Sequence, residues 1–332
     1  MKILVKKPSL TEKGKTMNKN ILFAVDGSPK CLEALSVVGK LLKHQVDCHL
    51  TLFHCVQQLS TLYSVEADEV DAPKAFSKEV ERIGEFVLQK SNRVLLQNGF
   101  PADRIQLKVE LGSEDPAEDV LKQAEARDIG TIALGRRGLS RVGSFLLGSV
   151  SNKVALHSSH NAVWIVDTPV HRSRKVLLAV EGVQDCQVLT NYAGEILGSI
   201  PGLQYTLLHL VPPVPPAFWD DGHILSSEER RVRRNQVEKW RLQWTQQAET
   251  YIAEARDFLV GRGVPSENVT TSIVPTKEGI ARDLLNKINE LHYEIVLVGK
   301  RSFQKNTSFQ LGNRANKILH SVKGVILCML DS

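Results

Sequence analysis

The stretch NILFAVDG at residues 20–27 returns almost unchanged as KVLLAVEG at 175–182, and this repeat decides the fold. Each copy is an apolar run followed by Ala-Val, an acid and a glycine, displaced by 155 positions (175 − 20). LTLFHCV at 50–56 and YTLLHLV at 205–211 keep that displacement, whereas LLGSVSNKV at 146–154 and QLGNRANKI at 310–318 are 164 positions apart (310 − 146). The chain is therefore predicted to contain two homologous halves.

Each half alternates continuous apolar runs, typical of parallel strands buried on both faces, with helical patterns. The predicted strands lie near 21–25, 49–55, 105–110, 131–134 and 162–166, then near 176–180, 205–210, 269–274, 295–298 and 325–330. The predicted helices lie near 30–42, 74–96, 116–126 and 148–156, with the longest near 226–260. This order predicts an α/β protein of two tandem doubly wound parallel-sheet domains, each with five strands and helices on both faces.

The predicted boundaries are a basic tail without fixed structure at 1–18, a first domain at 19–168, a linker at 169–174 and a second domain at 175–331. Six lysines and a single acid occupy the first twenty residues. The nine extra residues of the second half (164 − 155) are assigned to the proline-rich loop PPVPPAFWDDGH at 212–223.

Composition argues against several classes of protein. The net charge of +5 is mild and lies mostly in the tail, so nucleic acid is not an expected partner. The longest uncharged stretch, 196–219, holds five prolines, and no secretory signal opens the chain, so neither a membrane span nor export is expected. Five cysteines without a CxxC pair favour free thiols in the cytoplasm and no metal site.

A glycine motif follows the fourth strand, in LGRRGLSRVGSFLLGSV at 134–150. Gly135, Gly138 and Gly148-Ser149 are spaced G-2x-G-9x-G-S, which matches neither the dinucleotide fingerprint nor a Walker loop. The glycines permit close backbone approach, and the N–H groups and hydroxyl at a helix start favour an anion. The spacing alone is compatible with two interpretations: a phosphate-binding loop, or a set of structural turns.

Together with AVDGS at 24–28 and LFHCV at 52–56, the motif resembles the ATP-binding class of universal stress proteins, and the two units resemble its tandem members over residues 19–331. The resemblance implies ATP, with or without Mg²⁺, in the first domain. Of the two loop arginines, Arg137 is preferred to Arg136 as a phosphate ligand. The nucleotide-binding residues implied are Ala24, Val25, Asp26 and Cys55 near the base, Gly135, Arg137, Gly138, Gly148, Ser149 and Val150 near the ribose and phosphates, and also Leu134.

The second half departs from this pattern. Its equivalents are Glu181, Gly299, Ser302, Gly312 and Asn313, so the middle glycine and the hydroxyl are lost. A Cβ at 302 and a bulkier amide at 313 work against backbone contact with a phosphate. This half is predicted to bind ATP weakly or not at all.

The function expected is that of an ATP-binding, stress-response regulatory protein in which the nucleotide is a switch or ligand. The alternative is a nucleotide-independent scaffold whose two loops are structural. No constellation for fast phosphoryl transfer is evident, so any ATPase or autophosphorylation, with Ser149 as the hydroxyl in reach, is expected to be slow.

Partner surfaces are predicted in two places. The apolar run 162–166 reads as an edge strand, so the halves are expected to form an intramolecular pseudo-dimer, with a further homodimer and an unknown protein partner left open. In EERRVRRNQVEKWRLQW at 228–244, Trp240 and Trp244 are one helical turn apart. The tryptophans are expected to pack against the sheet and to leave the arginines in solvent. The alternative is that this segment binds a nucleic acid or a membrane surface.

Overall fold

The computed structural model describes residues 18–57, 72–138, 147–212, 226–300 and 313–331, with side chains from residue 78 onward in the second range. Several predictions fall outside the described residues: the basic tail up to residue 17, most of the proline-rich loop, and the positions Ser302 and Gly312.

The first half runs β1 (Ile21–Ala24), α1 (Pro29–Leu42), β2 (Leu50–Gln57), α2 (Ala72–Gln97), β3 (Ile105–Ser113), α3 (Pro116–Ala126), β4 (Thr131–Gly135), α4 (Ser149–His157) and β5 (Ala162–Val166). The second half runs β6 (Lys175–Val180), α5 (Val183–Tyr192), β7 (Gln204–Val211), α6 (Ser227–Gly261), β8 (Val269–Pro275), α7 (Ile280–Leu291), β9 (Ile295–Gly299), α8 (Asn313–Ser321) and β10 (Ile326–Leu330). All ten predicted strands are present, within three residues of the expected bounds.

The described strands form one ten-stranded sheet in the order β3-β2-β1-β4-β5-β10-β9-β6-β7-β8. Strands within each half pair in parallel, and the halves meet where β5 pairs antiparallel with β10, Val166 opposite Ile326. The predicted α/β class is confirmed, and the two five-stranded sheets are joined edge to edge.

Successive residues of β1 contribute their side chains to two separate hydrophobic cores. Ile21 and Phe23 of β1 face the layer that contains α1 and α2, whereas Leu22 between them faces the layer of α3 and α4. All three side chains are fully buried. Two-sided burial of this kind explains why the strands read as continuous apolar runs in the sequence.

Polar side chains also cross between the halves. Tyr192 at the end of α5 lies 2.7 Å from the Thr131 hydroxyl. Gln45, after α1, donates to the carbonyl of Ile196 at 2.7 Å and accepts from Ser199 at 2.5 Å. Gln45 is buried, so these bonds are shielded from water.

The extra residues of the second half lie in α6. This helix has 35 residues and its counterpart α2 has 26, a difference of nine. The connection between β2 and α2 has 14 residues (71 − 57) and the one between β7 and α6 has 15 (226 − 211). The prediction that placed the insertion in the proline-rich loop is therefore wrong, and the nine extra residues lie within the helix α6.

The two tryptophans of α6 contact each other. Their ring centroids are 5.8 Å apart, and both side chains are half-buried. Among the neighbouring arginines, Arg230, Arg231 and Arg234 are exposed, as predicted, whereas Arg233 is half-buried. No helix in the described part of the chain is long and apolar enough to cross a membrane.

Candidate functional site

A cavity of about 310 Å³ opens at the carboxyl ends of β1, β2 and β4. Its lining includes every residue that the sequence assigned to the nucleotide: Ala24, Val25, Asp26, Cys55, Leu134, Gly135, Arg137, Gly138, Gly148, Ser149 and Val150. The structure thus brings together segments that are more than 100 positions apart. It adds side chains that the sequence analysis did not assign: Cys31, Phe53, His54, Gln57, Pro116, Val120 and Ser151.

Asp26 lies at the turn after β1. Its Oδ1 accepts from the backbone N–H of Ser28 at 3.0 Å, and the Ser28 hydroxyl in turn caps α1 by accepting from the N–H of Cys31 at 3.2 Å. Gly138 approaches the other carboxylate oxygen so closely that a Cβ at position 138 would overlap with it. The carboxylate is therefore held at the cavity by a helix cap on one side and by a bare backbone on the other.

The amino end of α4 forms another part of the wall. Gly148 is its N-cap and makes no side-chain cap hydrogen bond, so the first N–H groups of this helix have no partner from a capping side chain. The Ser151 hydroxyl donates to the carbonyl of Gly135 at 2.8 Å and joins α4 to the end of β4. Free N–H groups at a helix start attract an anion.

The two loop arginines have different surroundings. Arg137 lines the cavity, and its buried Nε has no hydrogen-bond partner within the described structure. Arg136 points away from the cavity into the second half. Its guanidinium donates to the carbonyls of Leu319 at 3.0 Å and His320 at 2.8 Å, and it is 3% exposed. Burial lowers the pKa of Arg136, and Asp167 partly opposes this shift.

Lys300 is the counterpart of Arg136 at a displacement of 164 and points in the reverse direction. It follows β9, is 1% exposed, and donates from Nζ to the carbonyls of Ser158 and Asn161, both at 2.9 Å. Those carbonyls lie at the end of α4 and before β5 in the first half. The sequence analysis missed this pair of contacts, although the repeat aligns the two cations.

Two thiols and a histidine line the cavity near β2. Burial raises the pKa of both Cys31 and Cys55 to about 12, so neither is a thiolate at neutral pH. Nδ1 of His54 lies 2.7 Å from the carbonyl of Val25, and burial lowers the pKa of this imidazole. These groups are therefore neutral parts of the wall and not nucleophiles or charges.

The equivalent region of the second half contains an ion pair. Arg314, in the first turn of α8, corresponds to Val150, and Glu181, after β6, corresponds to Asp26. Nη1 of Arg314 lies 2.8 Å from the Glu181 carboxylate. Burial raises the pKa of Glu181, and Arg314 opposes the shift. Two positions that line a cavity in the first half are thus bridged to each other in the second.

Comparison with known proteins agrees with this arrangement. Residues 17–167 match the model of the universal stress protein family. Universal stress protein YxiE of Bacillus subtilis (strain 168) is 29% identical over 143 residues, which cover 42% of this chain and 93% of that protein.

Two solved structures cover both halves. A universal stress protein from Archaeoglobus fulgidus DSM 4304 is 20% identical, with a TM-score of 0.59 over 95% of this chain and 98% of that one. A functionally unknown protein from Pseudomonas aeruginosa PAO1 is 14% identical, with a TM-score of 0.54 over 94% of this chain and 92% of that one. At such identities the likeness shows the fold, and it extends to the second half. The match to the universal stress protein family is thus one of the first half of the chain, residues 17–167.

Proposed function

We propose that the first half binds ATP and that the protein acts in the stress response as a nucleotide-responsive regulator. The observation that carries the proposal is one cavity with a carboxylate acceptor in its wall and, in another part of that wall, an uncapped helix start beside Arg137. The volume of about 310 Å³ is at the lower end of what small-ligand sites offer.

The chemistry of the wall suits an adenine nucleotide. An ionised carboxylate can only accept hydrogen bonds, so Asp26 suits the exocyclic amine of adenine. Val25 and Leu134 are buried apolar side chains that also line the cavity and favour a flat aromatic base. The N–H groups at the start of α4 and the guanidinium of Arg137, which lines the cavity, supply donors for the phosphates.

The nucleotide is proposed to act as a ligand and not as a fast substrate. Asp26, if it contacts the base, lies at the other end of the nucleotide from the γ-phosphate and is not a base catalyst for its transfer. Ser149 is the cavity hydroxyl on the helix that would receive the phosphates. Any hydrolysis or autophosphorylation is therefore expected to be slow.

The second half is proposed to bind no ATP. The guanidinium of Arg314 already engages Glu181, the acid that corresponds to Asp26. A ligand would have to break this partly buried pair before it could reach the carboxylate. The pairing of β5 with β10 supports the further proposal that the two halves form a pseudo-dimer within one chain.

Isothermal titration of the full chain with ATP tests the proposal. The wild type is expected to bind one ATP per chain, and Asp26→Ala to bind about 10- to 100-fold more weakly because a hydrogen bond to a charged group is lost. Asp103→Ala removes an exposed carboxylate just before β3, at the amino ends of the strands and thus across the sheet from the cavity, and is expected to bind like the wild type.

Three outcomes would contradict the proposal in different ways. A wild type without measurable binding would favour the scaffold. Two equivalent ATP sites per chain would refute the proposal that the second half binds no ATP. Turnover near the median enzyme value of about 10 per second in a single-turnover assay would refute the ligand role.

A further inference from the structure

Each half inserts one buried cation into the other half. Arg136 directly follows β4 and Lys300 directly follows β9, and each side chain donates to carbonyls at the carboxyl end of a helix in the opposite half. Cations stabilise the carboxyl end of a helix through its dipole and its unpaired carbonyls. The helices concerned, α8 and α4, are the ones that lead into the joined strands β10 and β5.

Lys300 acts on the helix whose other end forms part of the cavity. Ser158 is the C-cap of α4, and its carbonyl is a Lys300 acceptor. The first residues of the same helix, Ser149 to Ser151, line the cavity. A helix of nine residues spans only about 14 Å, so a shift at one end is transmitted to the other as a rigid-body movement.

Arg136 acts in the reverse direction. Its neighbours Gly135 and Arg137 line the cavity, and its own carbonyl accepts from the N–H of Gly148 at 2.9 Å. One residue thus joins the two ends of the glycine motif through its backbone and holds the end of α8 through its side chain.

We propose that Lys300 is a positioning residue for the nucleotide site of the first half, so that the second half sets the ATP affinity of the first. The inference rests on the proposed function. It assigns to the second half, which binds no ATP itself, a role in holding α4 where its N–H groups meet the phosphates. Because coupling between sites is reciprocal, ATP binding is expected to stabilise the end of α8 through Arg136.

The test compares two substitutions that each remove two of the described hydrogen bonds between the halves. Lys300→Met removes the bonds to α4 and the turn before β5, and Gln45→Met removes the bonds to Ile196 and Ser199, which involve neither α4 nor α8. In isothermal titration, Lys300→Met is expected to weaken ATP binding at least about fivefold, the lower end of typical coupling. Gln45→Met is expected to stay within about twofold of the wild type, as for distant independent sites.

A conservative variant and a measurement without nucleotide complete the test. Lys300→Arg is expected to recover most of the affinity, because Arg136 does the same work with a guanidinium in the other half. Without ATP, Lys300→Met is expected to speed amide hydrogen exchange from Asn152 to Ser158 of α4, where the N–H groups are bonded within the helix, whereas Gln45→Met leaves it unchanged.

The outcomes separate this inference from the proposed function. A wild type that binds no ATP refutes the function. A wild type that binds ATP, with Lys300→Met binding equally well or Gln45→Met losing as much, refutes only the positioning role. Unchanged amide exchange in α4 of Lys300→Met also refutes the positioning role, whether or not the wild type binds ATP. If Lys300→Met unfolds, failure of Lys300→Arg to bind as the wild type does also overturns the inference.

Discussion

Gly138 lines the cavity with its backbone directly against the Asp26 carboxylate, where a Cβ has no room. Gly138→Ala is expected to displace that carboxylate and to weaken ATP binding about tenfold, as loss of its hydrogen bond would. The displaced group is the flexible end of a side chain, so the free energy of unfolding is expected to change by less than about 1 kcal/mol. Titration with ATP and urea unfolding measure the two quantities.

Gly261→Ala is the matched control for this substitution. Gly261 ends α6, and a Cβ there meets no atom within 4 Å. It is expected to leave ATP binding unchanged. If Gly138→Ala and the wild type bind ATP with equal affinity, Asp26 does not contact the nucleotide from the position that it has in the structure.

At the same scale, the sequence predicts the lining of the cavity but not the contacts behind it. Asp26 and the glycines are recognisable because each follows a strand and stands in a short local pattern. Arg136 and Leu319 are 183 positions apart, and nothing near Arg136 in the sequence indicates that its guanidinium turns toward a helix end in the other half. The pairing of Arg314 with Glu181 is also not predictable from the local sequence, because the two residues are 133 positions apart.

Among the elements, α6 has both tightly packed and solvent-exposed apolar side chains. From Ala248 to Leu259 it contributes residues to the main core, whereas Leu242 is 58% exposed. Leu259→Ala is expected to lower the free energy of unfolding by about 2–5 kcal/mol, and Leu242→Ala by less than about 0.5 kcal/mol. Urea denaturation of both variants checks this, and similar losses would mean that Leu242 packs as tightly as Leu259.

Helices were placed from the sequence where they carry a start signal. Ser28, Asp115 and Ser226 each cap a helix with a side-chain oxygen, and α1, α3 and α6 begin within one residue of prediction. Helices α5 and α7 have Gly182 and Gly279 as their N-cap residues, which supply no capping side chain. They were implied only by the repeat, because their own sequences do not mark where they begin.

For the whole molecule, the joint between β5 and β10 governs how the halves behave when separated. All five residues of β5 are buried, and in a chain of residues 18–168 alone the edge that pairs with β10 would be open. This fragment is expected to self-associate, since an open apolar edge strand recruits another strand. Analytical ultracentrifugation should show its mass per chain rising with concentration, and a fragment that stays monomeric at tens of micromolar would contradict the prediction.

Covalent connection also changes how this joint responds to dilution. Only eight residues, 167–174, separate β5 from β6. A tether this short keeps the two halves at an effective concentration in the millimolar range. An assembly of two separate chains with the same interface would come apart as expression falls and would exchange subunits with its relatives, whereas here each molecule keeps its own second half at any abundance.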